Sequence, residues 1–285
     1  MKKVTVKIPC AVSFIFKAFL PPIKIEQQNL LALYGSTGVG CTINKFVYAE
    51  ASPANTTQVT FNKKVLKLPT IEKALKMADI GGIKLKLKSD LPLSCGFGIS
   101  GAATLASIIS GNRLYGNRKK SAELIRIAHN AEILAGTGLG TVVTQTTGGF
   151  LLKTKPGIPA EYKSFSFVGR IIYAYVFGPI ATPKILSDSE KISNINKNAD
   201  RAISEIVKIG NPGLSDILEI SYNFCRNTNL LNNTSAGILI EKIRKKGGLA
   251  TMAILGDVVL SDMKISDNKS KIYRLKIVNE KAEII

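Results

Sequence analysis

The feature that most constrains this chain is a small-residue stretch, Leu91-Pro-Leu-Ser-Cys-Gly-Phe-Gly-Ile-Ser-Gly-Ala-Ala-Thr-Leu105. Gly96, Gly98 and Gly101 let the backbone turn tightly and approach a ligand. Ser100 and Thr104 add hydroxyls, and Leu105, Ile108 and Ile109 then repeat at helical spacing. Upstream, Gly82-Ile-Lys-Leu-Lys-Leu-Lys-Ser89 alternates strictly and predicts a half-buried strand. A strand feeding a glycine loop and then a helix presents unpaired N–H groups and the positive end of the helix dipole, which suits a phosphate. Taken alone, the loop is explained equally well as a turn that caps a buried helix.

At 285 residues the chain has room for two domains, and 45% apolar residues fit a globular protein rather than a disordered one. The apolar stretch Val12 to Leu20 is broken by Lys17 and closed by Pro21 and Pro22, too short to span a membrane. It carries no small-residue cleavage site, so a cytoplasmic protein is expected. Cys10, Cys41, Cys95 and Cys225 are far apart and His129 stands alone, which disfavours zinc and predicts free thiols. Cys95, inside the glycine loop, is expected to be reactive. The net charge of +19, from 39 Lys and Arg against 20 Asp and Glu, favours anionic partners. It is spread over short clusters such as Arg118-Lys119-Lys120 and Arg244-Lys245-Lys246, with no arginine-rich arm or aromatic-interleaved basic strand. That pattern reads as a generally basic surface and disfavours nucleic acid.

Val4, Val6 and Ile8 predict a first strand that Pro9 ends. Residues 34–41 read as a second glycine-rich turn, leading into a strand pair at 42–50 and 58–66. A short helix is expected over 71–77, and another over 121–135, with Ser121 as N-cap and Gly136 as stop. A strand over 150–154 runs into Lys155-Pro-Gly-Ile-Pro159, and 165–177 reads as a further strand, which puts a domain boundary near 160–170. Helical patterns follow at 188–209, 213–226 and 235–246, the last capped by Ser235 and Gly247, and then strands. Strands interleaved with helices give an α+β chain.

Three segments now stand in order: the 91–105 loop, Ala128-His-Asn-Ala-Glu-Ile-Leu-Ala-Gly-Thr-Gly-Leu-Gly140, and the small-residue stretch 247–256 ending in Ala253-Ile-Leu-Gly256. With Gly148-Gly149 and Lys155-Pro-Gly-Ile-Pro159 they resemble the GHMP kinase superfamily, and within it the archaeal pantoate kinase branch, over most of residues 1–160. The resemblance implies an α+β, two-domain fold: an N-terminal domain like domain 2 of ribosomal protein S5 over 1–165 and a ferredoxin-like C-terminal domain over 166–285. It implies ATP and Mg2+ as cofactors and a small-molecule acceptor between the domains, and it leaves a homodimer open. Pro92, Ser94, Gly96, Phe97, Gly98, Ile99, Ser100, Gly101 and Ala102 carry over onto ATP binding, Ser100 and Glu132 onto the metal, and Ser100, Glu132 and Thr141 onto the catalytic positions. His129, one turn before Glu132, reads as structural.

Three departures fall in the acceptor half. Where the branch has a pattern resembling Pro-Gly-His-Ile-Thr-Gly-Phe-Phe, this chain has Pro9-Cys-Ala-Val-Ser-Phe-Ile-Phe16, with Ala11 for the histidine and Ser13 at the hydroxyl position. Gly35-Ser-Thr-Gly-Val-Gly40 has Thr37 where arginine is expected, beside Ser36. Gly138-Leu-Gly-Thr141 has Thr141 in place of the aspartate, and a threonine cannot serve as a carboxylate base. Ala11, Ser13, Lys17, Ser36, Thr37, Gly138 and Thr141 are therefore the candidate acceptor contacts, with Lys7 and Lys24 as further anion contacts. The reading favours a kinase acting on the 5-hydroxyl of mevalonate 3-phosphate. Pantoate kinase is the alternative, and a basic nucleic-acid-binding or scaffolding protein on the same fold a further one.

Overall fold

A computed structural model describes residues 2–22, 27–116, 118–232 and 234–285. Its elements are numbered in chain order. β1 (Val4–Phe19) and β2 (Gly35–Pro53) pair antiparallel along nearly their whole lengths, from Val4 opposite Ala51 to Phe19 opposite Gly35, with α1 (Gln28–Leu31) in the connection. Pro9 does not end β1. It sits where the register shifts, between Pro9 and Cys10, a place where a strand tolerates a residue without an N–H. Residues 35–41 are likewise strand and not a turn. The glycines there let two backbones close up: a Cβ on Gly38, which has φ +131°, would overlap the Ile15 carbonyl.

β2 changes partners along its length. Gly38–Cys41 take β6 (Phe150–Lys153), which pairs in turn with β7 (Tyr162–Phe165). Val47–Pro53 take β5 (Ile83–Ser89), whose alternate residues are buried as its sequence predicts. The expected pairing of 42–50 with 58–66 does not form. β3 (Gln58–Phe61) lies beyond β5 and parallel to it, and β4 (Lys64–Val65) completes that edge. β12 (Glu283–Ile284) returns from the far end of the sequence to β1.

Helices α2 (Pro69–Met77), α3 (Ile99–Leu114), α4 (Ser121–Ala135) and α5 (Thr141–Thr147) pack together with this sheet. α3 is buried on almost every side, which explains its run of Gly, Ala and Ser and its lack of a polar face. α4 ends at Gly136 in the left-handed region as expected, but Ser121 is its first helical residue and not its cap; no side chain caps that end.

A second, wholly antiparallel sheet has the order β11 (Lys271–Lys276), β8 (Ile171–Pro179), β10 (Gly256–Ser261), β9 (Ala250–Met252). Residues 165–177 are thus not one strand: β7 ends in the first sheet, and β8 opens the second after a turn closed by the Arg170 N–H on the Phe167 carbonyl. With this sheet go α6 (Thr182–Leu186), α7 (Ser189–Ile209), α8 (Leu214–Asn227) and α9 (Ser235–Lys245). Asp188 caps α7 through the Lys191 N–H, and Thr234 rather than Ser235 caps α9 through that of Gly237. The two units are stitched together where Asn196 of α7 accepts from the Ala18 N–H and donates to the Ala18 carbonyl. The architecture is the α+β two-sheet arrangement the sequence implies. Among the described residues no helix is long and apolar enough to cross a membrane.

Candidate active site

A cleft of about 570 Å³ opens between the two units. Its floor is the loop that delivers β5 to α3. Gly96 (φ +75°) and Gly98 (φ +64°) take left-handed conformations there, and α3 starts at Gly98 with no capping side chain, so its first-turn N–H groups have no intrahelical partner. The loop is held from several sides. The Ala11 N–H donates to the Phe97 carbonyl (3.0 Å), Gln145 Nε2 to the Gly98 carbonyl (2.8 Å) and the Ile180 N–H to the Ser94 carbonyl (3.1 Å). Ser94, Gly96, Phe97, Gly98, Ile99 and Ser100 line the cleft. Pro92, Gly101 and Ala102 do not: Ala102 is fully buried, and its N–H is committed to the Gly98 carbonyl. Cys95 is not a reactive thiol. It is 2% exposed, its Sγ donates to the Leu93 carbonyl, and burial, with Asp257 nearby, pushes its pKa up.

Glu132, on α4, reaches this loop from behind. A Cβ on Gly101 would stand 2.9 Å from Glu132 Oε2, and one on Gly138 would stand 2.5 Å from Oε1, so these two glycines make the room its carboxylate occupies. Glu132 is 1% exposed, and Oε2 has no hydrogen-bond partner. Burial pushes its pKa up to about 8, against the pull of Lys153. His129, one turn earlier, is structural as expected: its Nε2 bonds the Tyr34 carbonyl at 2.8 Å, and burial holds its pKa down at about 4, with Lys153 adding to the effect.

Of the residues expected to contact the acceptor, Ala11 and Ser13 of β1, Ser36 and Thr37 of β2, and Gly138 and Thr141 from the segment after α4 come together on one wall of the cleft. Thr141 opens α5, and its methyl is the first atom a Cβ on Gly98 would meet. Lys17 is not part of this wall. Its Nζ bonds both carboxylate oxygens of Asp200 on α7, at 2.7 and 2.9 Å. Lys7 stands over the Phe46 ring at 4.3 Å, outside the cleft, and Lys24 lies outside the described residues.

The cation in the cleft is one that sequence reasoning missed. Lys153, the last residue of β6, is buried, and its Nζ donates to the Gly140 carbonyl (3.0 Å) and to Ser36 Oγ (3.4 Å). Burial lowers its pKa to about 8, opposed by Glu132. The available signal was a lysine closing the apolar run Phe150-Leu-Leu, in which every position is buried. Also missed were the Thr70–Thr137 hydroxyl pair (3.0 Å) and the segment 179–183, which closes the cleft from the second unit together with residues 254–255, part of the stretch singled out in the sequence but given no role there.

The chain matches the GHMP kinases N terminal domain over residues 63–149, which contain the loop, α3, α4 and α5. It is 30% identical to a pantoate kinase of Methanocaldococcus jannaschii across 79% of this chain and 82% of that protein. Among solved structures, a phosphotransferase related to the CoA biosynthesis pathway superposes with a TM-score of 0.82 at 19% identity, covering 99% of this chain and 98% of the other. Mevalonate-3-kinase from Thermoplasma acidophilum, bound to mevalonate 3-phosphate and ADP, superposes with a TM-score of 0.67 at 13% identity, covering 100% and 98%. An uncapped helix N-terminus over a glycine loop, a buried carboxylate behind it and this relationship agree: the chain belongs to the GHMP kinase family and is an ATP-dependent phosphotransferase acting on an alcohol group.

Proposed function

We propose that the protein transfers the γ-phosphate of ATP to the primary hydroxyl of a small branched hydroxy acid, with mevalonate 3-phosphate, phosphorylated on its 5-hydroxyl, as the favoured acceptor. The observation that carries this reading is Lys153, a buried ammonium in an acceptor wall whose other side chains at Ala11, Ser13, Ser36, Thr37 and Thr141 are neutral. Such a wall attracts an anion and, with threonine at 141, does not repel a second one. The three departures from the pantoate kinase pattern all lie on it, whereas the phosphate loop is kept. We read residues 1–165 as the ATP-binding domain and 166–285 as the C-terminal domain, with the cleft between them.

In this reading the first-turn N–H groups of α3 cradle the phosphates, with Ser94, Gly96 and Gly98 shaping the loop around them. The donor set fits Mg2+. Glu132 Oε2 is buried without a partner, Gly101 and Gly138 leave the space around it, and Ser100 supplies a hydroxyl at the same helix start. Among the described residues no cluster of three His, Cys, Asp or Glu side chains competes for a metal, as befits an ion held by one or two protein oxygens and by phosphate. Ser100 and Glu132 would hold the ion, which supplies neutralisation of charge on the transferring phosphoryl group. Lys153 orients the acceptor by its anionic group. Thr141 contributes a hydroxyl contact and no base, so the transfer runs by positioning and electrostatics.

Pantoate is the second reading, favoured by the name of the Methanocaldococcus jannaschii relative. Incubating purified protein with MgATP and each acid, and following ADP, tests the choice. Faster turnover of mevalonate 3-phosphate is expected; faster turnover of pantoate would overturn it.

A further inference from the structure

Between β9 and β10 the chain makes a four-residue turn, Ala253-Ile-Leu-Gly256, closed by the Gly256 N–H on the Ala253 carbonyl at 3.1 Å. The turn is fixed on both sides. Toward β1, the Ile254 N–H donates to the Ser13 carbonyl at 2.9 Å, tying it to the acceptor wall. Toward the phosphate loop, a Cβ on Gly256 would overlap the Cys95 carbonyl, and one on Gly96 would stand 3.0 Å from the Ile254 carbonyl. The turn is therefore wedged where the donor and acceptor halves of the cleft meet.

At its third position stands Leu255, with φ +66°. This is backbone that glycine, asparagine or aspartate adopts readily and a bulky side chain does not. Six non-glycine residues have positive φ among the described residues. Five are Asn62, Lys63, Asp79, Ser94 and Asn229, and only Leu255 carries a branched apolar side chain. The hydrogen bonds of the turn are all backbone, so glycine at 255 would form the same turn without strain. What the strain retains is the isobutyl group, which is half-buried and lines the cleft beside Ile254. A strained conformation kept in a binding cleft points to a use there.

We infer that Leu255 keeps water out of the phosphate-transfer junction. Its side chain fills space from which a water molecule would otherwise attack the γ-phosphorus, so the phosphoryl group goes to the acceptor hydroxyl. In the reaction it suppresses, the water oxygen forms a bond to the γ-phosphorus as the bond to the β–γ bridging oxygen breaks. ADP and inorganic phosphate leave, and the water proton passes to solvent. Leu255 supplies neither charge nor proton and acts by exclusion alone. The inference rests on the kinase reading of the cleft and not on the identity of the acceptor.

Leu255→Gly tests it, because glycine relieves the backbone strain and so keeps the fold while removing the wall. Phosphate release from MgATP without acceptor is measured beside the melting temperature and KM for ATP. The expected result is acceptor-free phosphate release about tenfold above wild type, KM for ATP within twofold, and a melting temperature unchanged or raised. Leu255→Met, which restores apolar volume, returns release toward the wild-type level. Wild-type release from Leu255→Gly, alongside normal wild-type turnover of an acceptor, would overturn the inference alone. A wild-type protein that binds no MgATP by titration calorimetry would overturn the kinase reading and this inference with it.

Discussion

Lys153 Nζ donates to the carbonyl of Gly140, so the end of β6 fixes the residue immediately before Thr141. A Cβ on Gly140 would collide with that ammonium. The strand that brings the buried cation thus also sets the start of α5. Replacing Lys153 by Met removes the proposed acceptor anchor and leaves Glu132 without its compensating charge. Truncating one partner of a buried charge interaction costs about 2–5 kcal/mol. The expected outcome is a fall of roughly thirty- to several-thousand-fold in kcat/KM for the acceptor, with KM for ATP little changed, and partial recovery in Lys153→Arg. Steady-state kinetics with each substrate varied separately checks this.

Gly101→Ala separates stability from activity. Alanine is better than glycine inside a helix by about 1 kcal/mol. Its Cβ would nevertheless stand 2.9 Å from Glu132 Oε2, and the carboxylate, at the free end of a side chain, is what has to move. The melting temperature is expected to stay level or rise, while kcat falls at least tenfold. Gly81→Ala, whose Cβ would meet nothing within 4 Å, serves as the control with wild-type kinetics.

Gln145 couples α5 to the glycine loop through its bond to the Gly98 carbonyl, while its own Oε1 is buried and unpartnered. Gln145→Met keeps the volume, removes the donor and also removes the unsatisfied oxygen. Losing a buried hydrogen bond and removing an orphan acceptor offset each other to within about 1–2 kcal/mol. Stability is therefore expected to change little. The loop, freed at the first residue before α3, should bind ATP several-fold more weakly, as read by titration calorimetry.

His129 makes stability depend on pH. Burial depresses its folded-state pKa from 6.5 to about 4, so the unfolded chain binds the proton more tightly. Its contribution is fully present above pH 6.5 and is lost as pH falls through that value toward about 4. Complete loss corresponds to about 3 kcal/mol. His129→Gln retains a donor for the Tyr34 carbonyl without a titrating ring. Urea unfolding at a series of pH values should show a shallower decline for the variant than for wild type across that interval.

What could be read from the sequence depended on whether a local pattern decided the structure. β5 was legible because its alternation matches one buried face, and α4 because Gly136 stops it. The glycine loop before α3 was legible because glycines, hydroxyls and a helix start coincide in fifteen residues. Residues 35–41 were not, because glycines that allow two strands to approach look the same in sequence as glycines that turn a chain. β3 was assigned to the wrong neighbour because parallel pairing with β5 is non-local and leaves no local mark. Lys17 and Lys153 illustrate the same limit for the site. Both are lysines on strands near the cleft, and only the three-dimensional path turns one outward to Asp200 and the other inward to Gly140.

The return of β12 to β1 bears on how the molecule is made. Thr42 holds residues 149 and 278 together: its Oγ1 accepts from the Gly149 N–H and donates to the Val278 carbonyl, and the Ile285 N–H reaches Thr5. During synthesis β1 is therefore made long before the residues of β12 that cover its edge. A fragment stopping at 165 would leave that edge of β1 open to pairing with other chains. Such a fragment should aggregate, and residues 1–165 should be handled only as part of the whole chain.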